Sequence, residues 1–566
     1  MTNSATLNYR WSSRIVKNLY KYGVRDVCIS PGSRNTPLSL AFIDYPNIKC
    51  ISHIDERSGG FFGLGIALKK QSPVVLVCTS GTATANYLPS IIEANQSRVP
   101  LIILTADRPA YLQGTGANQT IYQNNIYGYH VRNFNDLGLP SDDKLVNIDL
   151  IISNTLKIAE GKNISGKPTS PKGPVHINIP FEEPLYFENR LKINNKQIKI
   201  KESRQYISPS SFVRKINFPR FKYPIIICGR LQSDSDRENI FNLSSALNAP
   251  IFADPLSQIR YGNTHSNLVS SYSHFLSLVT LTPDFIIRIG QKPVSKTLCA
   301  KLDEWDNFTF LIDESGRFND DCSNVINSSV ADFVKTVMTK SISSKLKWKE
   351  KIIDIDYKIN NFISNNYMNY WFEGSIVKNC FDSLDNGDNF FIGNSMPIRD
   401  VDLFVFQSAK SIKTYSNRGA SGIDGIVSSA LGVAYGSENN SLLVLGDLSF
   451  YHDMNGLLAG LRYNINITIV IINNNGGGIF SFLPVSKENN KSFEEFWATS
   501  HSLKFDYVAK LYDCQYEIVN SNQTLKSALD KFNKLKGVKI IEAKIDRNEN
   551  IRKHNEIKKS IQKLKV

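Results

Sequence analysis

Short apolar, β-branched runs recur along the chain, each closed by small or polar residues: VCIS from Val27, KCISHI from Lys49, VVLVCTS from Val74, LIILTAD from Leu101 and GPVHINIP from Gly173. Helix-like segments lie between them, one after the PGSRNTPL turn, one from Glu56 to Lys69 and one after Gly81. This alternation predicts a parallel sheet covered by helices. A second series (YPIIICG, APIFADP, DFIIRIG, FTFLIDE) and a third (NFFIGNS, SLLVLGD, ITIVIINN, KIIEAKI) renew the pattern without repeating the sequence. A polar stretch from Asn189 to Tyr206 reads as a linker, and a lysine-rich stretch before Trp371 closes the second series. The expectation is an α/β chain of three doubly wound parallel-sheet domains, residues 1–188, 189–350 and 351–566.

Composition agrees with a compact globular protein. The 566 residues are 42% hydrophobic and 11% aromatic. No apolar run reaches the ~18 to 20 residues needed to cross a bilayer, and the first residues lack the apolar core of a secretory signal, so a cytoplasmic address is expected. The 8 cysteines are scattered with no CxxC pair, several inside strand-like runs, and read as buried reduced thiols. A net charge of +14 raises nucleic acid, an acidic membrane or an anionic substrate as a partner. Much of it falls in Leu191 to Lys201, in Lys335 to Lys351 and in the final IRKHNEIKKSIQKLKV, which read as solvated surface. The tail has no aromatic residue for base stacking, so no nucleic-acid partner is expected, and no integral membrane association. Its Ile551, Ile557, Ile561 and Leu564 fall near helical spacing and predict an amphipathic helix packed on the body.

The most specific chemistry lies in the third series. Gly446 and Asp447 end one buried strand and Asn474 ends another, with room for one helix between. In a parallel sheet both side chains emerge at the carboxyl edge, where open α/β sheets bind ligands. A carboxylate beside an amide oxygen suits a hard octahedral cation that shares its shell with diphosphate oxygens. Taken singly, GD is a strand-ending turn and NNNGGG a loop; their spacing is what makes them a motif.

This pairing resembles the diphosphate motif of the thiamine-diphosphate enzymes, and GDLS followed by HD resembles their menaquinone branch, with Leu448 where most members carry glycine. The resemblance covers nearly the whole chain, densely at both ends and sparsely in the middle. It implies thiamine diphosphate and Mg²⁺ (Mn²⁺ as a substitute) as cofactors, with Asp447, Asn474 and the carbonyl of Gly476 holding the metal. Glu56, at the head of an apolar helix, is then the acid that donates to the aminopyrimidine nitrogen from a site that keeps its proton on. Ile423 is the wedge beneath the cofactor, and Ser395, Met396, Leu448 and Ser449 line the same site.

Segments PGSRNTPL, SGTATANYLPSIIEA with LIILTADRP, GTGANQTIYQ, and GNSMPIRD with NRGASGIDG carry the likeness to the menaquinone branch. That branch decarboxylates 2-oxoglutarate, adds the four-carbon remainder to isochorismate and releases CO₂. Small-molecule dicarboxylates call for guanidinium, hydroxyl and amide donors. By resemblance Arg399 and Ser395 hold the oxoacid, while Ser33, Arg34, Arg108, Asn118, Gln119, Lys296 and Arg418 hold isochorismate or its adduct, and Ile479 and Phe480 form an apolar wall. Glu56, Ser33, Arg34, Gln119, Ser395 and Arg399 are the expected catalytic set. Lys292 is an alternative to Lys296, and Ser500 stands where the branch is expected to carry proline. The 8 histidines include no adjacent pair of the kind used as proton relays, and His53 and His176 read as core or supporting residues. The same resemblance implies a homodimer or homotetramer. The rival readings are another thiamine-dependent decarboxylase or a flavin-carrying acetohydroxyacid synthase, and, from a different class, a basic nucleic-acid or membrane binding protein on a vestigial enzyme fold.

Overall fold

The computed structural model describes residues 4–163, 166, 169–188, 221–231, 235–262, 265–316, 320–338 and 346–564. The proposed linker Asn189 to Tyr206 and the lysine stretch Leu191 to Lys201 lie outside the described residues, as does part of Lys335 to Lys351.

Three six-stranded sheets, parallel at every pairing, form in the predicted places. The first contains β1 (Asp26–Ile29), β2 (Lys49–Ser52), β3 (Val74–Cys78), β4 (Leu101–Asp107), β5 (Phe134–Asp136) and β6 (Val175–Pro180), in the order β2-β1-β3-β4-β6-β5. The second contains β7 (Pro224–Cys228), β8 (Ile251–Ala253), β9 (Leu268–Val269), β10 (Phe285–Ile289), β11 (Thr309–Ile312) and β12 (Val325–Ile326), in the order β12-β11-β10-β7-β8-β9. The third contains β13 (Asn389–Ile392), β14 (Lys413–Tyr415), β15 (Ser441–Gly446), β16 (Ile467–Asn473), β17 (Gln515–Val519) and β18 (Val538–Lys544), in the order β14-β13-β15-β16-β18-β17. The first and third sheets thus share one strand order, and the middle sheet has another.

All the apolar runs named above but one are inner strands, buried on both faces as in β3, β4, β7 and β10; the exception, KCISHI, forms the partly exposed edge strand β2. β5, β9, β12, β14 and β17 do not stand out in the sequence. All five are edge strands, and four of them are only partly buried, so the chain has no need of a continuous apolar run there.

By packing, the chain forms two compact units, residues 1–211 with 417–437 and 455–459, and residues 212–416 with 438–454 and 460–566. In the first unit the helix Ile426–Tyr435 lies against the helix Glu56–Lys70 at backbone contact: a Cβ on Gly65 would stand 2.0 Å from the Ser429 carbonyl oxygen. Only glycine permits that approach. In the second unit the middle and third sheets share side-chain cores, with Leu256 and Tyr261 among residues of the third sheet, and Ile557 and Ile561 of the C-terminal helix (Arg547–Gln562) among those of the middle sheet. Leu564 packs on the same cluster, so the basic tail is an amphipathic helix seated on the body. Arg260, after β8, joins the two sheets through Asp402 (3.1 Å).

Candidate active site

At the carboxyl edge of the third sheet, β15 and β16 run side by side with Gly446 opposite Ile472, which brings Asp447 and the Asn473–Gly478 turn together. Asp447 is 1% exposed. One carboxylate oxygen accepts from the Leu448 amide at 2.7 Å, and the other from the Gly476 amide at 2.9 Å. His501 Nε2 stands 3.2 Å from that second oxygen. His501 Nδ1 accepts from the Leu503 amide, which leaves Nε2 as the donor of the neutral ring. Gly476 has φ +131°, and a Cβ there would fall 2.2 Å from the Ala498 carbonyl oxygen, so this turn tolerates only glycine.

Asn474 Nδ2 donates to Glu373 Oε1 at 2.8 Å. Its Oδ1 is buried and meets no hydrogen-bond donor among the described residues. Burying an amide oxygen without a partner costs about 1–3 kcal/mol, so the arrangement fits an electropositive ligand such as a divalent cation, held by the residue types predicted for one. Behind Asn474 lies a buried chain of ionisable groups. Glu373, 1% exposed, faces Asp400, and His554 Nε2 lies 2.8 Å from Asp400 Oδ1. Burial, reinforced by Asp400, lifts the Glu373 carboxyl to about 8. Burial would lower His554, but the Asp400 carboxylate more than compensates and takes it to about 9. Glu373 Oε2 and Asp400 Oδ2 are both buried and meet no donor among the described residues.

Ser395 and Arg399 lie just beyond β13, the neighbour of β15. Ser395 takes φ +71°, sparsely populated for a residue with a side chain, at the head of the helix Met396–Phe404. Its carbonyl accepts from the Arg399 guanidinium. Met396 and Ser449 are buried and Leu448 half-buried. Ile479 and Phe480 follow the glycine turn, half-buried, with the Phe480 ring against Gly477. Lys296 heads a helix of the middle sheet whose cap, Ser295, connects through Ser273 to Asp402, on the same helix as Arg399. Lys292, the alternative, is paired with Asp321 at 2.8 Å, whereas Lys296 is exposed and makes no ion pair among the described residues.

The first sheet's carboxyl edge gathers a second set. Arg34, 4% exposed, donates to the Phe181 carbonyl (2.9 Å) and to Glu183 (2.8 Å). Arg108 donates to Ser80 at 3.0 Å, and burial together with the Arg34 charge pushes its guanidinium below its ordinary value. Two converging guanidinium groups favour an anion between or beside them. Ser33, Asn118 and Gln119 are exposed at the same edge. The loop of Asn118 and Gln119 is tied down by the fully buried Gln123, which accepts from the Gly81 amide (2.8 Å) and donates to the Ala106 carbonyl (3.2 Å). Glu56 opens the helix Glu56–Lys70 behind the cap residue Asp55, half-buried, with Asn86 Nδ2 at 3.5 Å. The loop 417–425 also belongs to this unit. Glu93, buried, accepts from the Gly419 and Ala420 amides, both at 2.7 Å, and so anchors the stretch that carries Arg418 and Ile423. Ile423 is 38% exposed, which rules out an ordinary core role for it.

Six supporting residues escape a reading of the sequence: Glu373, Asp400, His554, His501, Glu93 and Gln123. For His554 a signal existed, since it falls on the stripe of Asn550, Ile557 and Ile561 that the C-terminal helix buries. His501 lies beside Ser500, in a loop held by Asn475 Oδ1, which accepts the His501 and Ser502 amides at 3.3 and 2.9 Å. His176 is a core residue, bonded to Thr105 at 2.7 Å and driven down to about 3 by burial. His53 is likewise buried, its ring against Phe62.

Comparison with known proteins adds independent findings. Residues 10–126 match the family described as thiamine pyrophosphate enzyme, N-terminal TPP binding domain, and residues 404–543 match the corresponding C-terminal TPP binding domain. The chain is 39% identical to a 2-succinyl-5-enolpyruvyl-6-hydroxy-3-cyclohexene-1-carboxylate synthase of Listeria innocua, over 98% of this chain and 97% of that one. It is 38% identical to the enzyme of that name from Oceanobacillus iheyensis, over 96% of each chain, and 36% identical to that from Geobacillus kaustophilus, over 98% of each.

Proposed function

The chain belongs to the family of 2-succinyl-5-enolpyruvyl-6-hydroxy-3-cyclohexene-1-carboxylate synthases, and on that premise we propose that it joins 2-oxoglutarate to isochorismate with loss of CO₂, a step of menaquinone biosynthesis. The observation that carries the proposal is the pairing of Asp447 with the Gly476 amide beside the buried, donorless Asn474 Oδ1, at the edge where a diphosphate and its cation would be anchored.

Asp447, Asn474 and the Gly476 carbonyl would hold Mg²⁺ or Mn²⁺. Bound thiamine diphosphate supplies the site at which the oxoacid loses CO₂ and its remainder becomes a nucleophile. The protein's part is to bind, orient and exclude water. Glu56 would present its carboxyl to the aminopyrimidine nitrogen. Ile423, kept out of the core on a loop fastened by Glu93, supplies apolar support beneath the ring. Arg399 and Ser395 bind the oxoacid carboxylate. The convergent Arg34 and Arg108, with Ser33, Asn118, Gln119, Lys296 and Arg418, receive isochorismate, and Ile479 and Phe480 shield the reacting carbon. Met396, Leu448 and Ser449 line the cofactor.

Assembly as a homodimer or homotetramer belongs to the same proposal, supported by exposed apolar side chains such as Ile54, Tyr122, Tyr451 and Phe496. So does a cytoplasmic address, supported by 8 free cysteines; among the described residues no helix is long and apolar enough to cross a membrane. The division into domains at residues 188 and 350 is kept on the support that each sheet draws its strands from one continuous stretch.

The test is CO₂ release from 2-oxoglutarate by the purified protein with thiamine diphosphate and Mg²⁺, with and without isochorismate. Coupled consumption of both substrates is expected. Cofactor binding with isochorismate untouched would overturn the substrate assignment.

A further inference from the structure

We propose that Glu373 is a positioning residue for the cation site: by accepting the Asn474 Nδ2 hydrogen bond it turns the amide so that Oδ1, and not the NH₂ group, faces the metal. The inference rests on the reading of Asn474 as a metal ligand.

An asparagine amide has nearly identical shape in its two flipped states, and packing alone does not choose between them. In one state it offers a cation an oxygen. In the other it offers two N–H donors, which repel it. The choice must come from a partner behind the side chain, and the partner here is Glu373 Oε1 at 2.8 Å. Glu373 is held rigidly enough to decide. Its own backbone amide donates to Asn550 Oδ1 at 3.0 Å, and it opens the helix Glu373–Asp382. Beyond it, Asp400 is fixed by His554 at 2.8 Å, and His554 Nδ1 lies 2.9 Å from the Asn550 carbonyl oxygen. Asn550 and His554 both belong to the C-terminal helix, so this helix braces the ligand from behind. The Phe482 ring, 5.4 Å from the His554 ring, covers the brace on the side of the glycine turn.

The arrangement makes a demand that a general electrostatic role would not. What matters is an acceptor at Oε1, not a negative charge. Glutamine at this position can accept from Asn474 through its oxygen while its NH₂ donates to Asp400, so it preserves the amide's orientation. Methionine, of similar size, preserves packing but presents no acceptor.

The experiment is Mn²⁺ titration of the full-length protein at saturating thiamine diphosphate, with free Mn²⁺ followed by electron paramagnetic resonance and folding by circular dichroism. Glu373→Met is expected to weaken Mn²⁺ binding by about 10- to 100-fold, the usual cost of losing the group that orients a ligand. Glu373→Gln is expected to bind within about threefold of the parent. Unchanged affinity in Glu373→Met, or an equal loss in Glu373→Gln, would overturn the proposal, the latter because charge and not orientation would then be at work. If Glu373→Met does not fold, Glu373→Asp takes its place: it keeps the carboxyl but withdraws the acceptor by one methylene, and the same tenfold loss is required. Asn474→Ala separates the two levels of inference. If it binds Mn²⁺ normally, the ligand assignment itself has failed. If it loses binding while Glu373→Met does not, only the positioning role has.

Discussion

The first and third sheets are built alike and equipped differently. Each has six parallel strands in the order 2-1-3-4-6-5 when counted within its own sheet, so the strand order reverses between its first and third strands in both. After those strands come PGSR and TSG in one case, GNSM and GD in the other. The first edge carries guanidinium groups, exposed amides and a half-buried carboxyl at Glu56. The third carries the buried carboxylate of Asp447 and the buried Oδ1 of Asn474, braced from behind, beside the half-buried guanidinium of Arg399. One topology, then, supports two kinds of site, and what differs is how far each side chain is enclosed. A group that stays bound suits the enclosed carboxylate and amide, and one that enters and leaves suits the more open side chains of either edge.

Exchanging roles between the edges should fail in characteristic ways. The largest effect is expected at Glu56→Gln, which should lower turnover by roughly 10²- to 10⁴-fold while thiamine diphosphate still binds within about threefold. Steady-state rates beside a fluorescence titration of the cofactor would check this, and near-normal turnover would break the division of labour. Asp447→Ala should show the converse, a fall of at least ~100-fold in Mg²⁺-dependent cofactor affinity and no rise in melting temperature on adding cofactor and metal. Arg399→Ala should raise the KM for 2-oxoglutarate by roughly tenfold or more, the worth of a charge-assisted hydrogen bond, and that for isochorismate far less. Equal changes in both would remove the assignment of Arg399 to the oxoacid.

Two smaller effects bear on stability. Gly65→Ala should destabilise the first unit by about 1–3 kcal/mol, because the added methyl group meets the Ser429 carbonyl, and calorimetry would detect it. His176 and His554 should set opposite pH limits. His176 is held neutral, its value lowered to about 3, so its contribution is complete above its ordinary 6.5 and is lost as pH falls toward 3. His554 is held charged, raised to about 9, so its contribution is complete below 6.5 and fades as pH rises through 9. His176→Gln should flatten the acid limb of a melting-temperature profile and His554→Gln the alkaline limb. The opposite assignment would contradict the burial and pairing that distinguish them.

Most inner strands were legible because a strand covered on both faces must be apolar at every position, and such runs stand out in one dimension. The edge strands were not, since β14 and β17 alternate or expose their side chains and depend on a neighbour for their hydrogen bonds. The Asp447 and Asn474 motif was legible for a related reason: GD and NNNGGG each end a strand, and the spacing puts those strands side by side. Glu93, Glu373 and Asp400 were illegible, because an acid in a helix looks the same whether it faces water or a buried amide. Even His554, on an apolar stripe, had no visible reason to be charged until Asp400 was found beside it.

The amino-acid sequence by itself determined the parallel α/β class, the family, and the pairing of Asp447 with Asn474 at one sheet edge, since periodicity and strand-end spacing are local and survive without a partner in view. Tertiary structure alone decided which edge is open and which enclosed, that residues 417–437 belong with the first unit, and which way the Asn474 amide points. Those properties depend on groups that are distant along the chain and adjacent in space, and on the low dielectric that their enclosure creates.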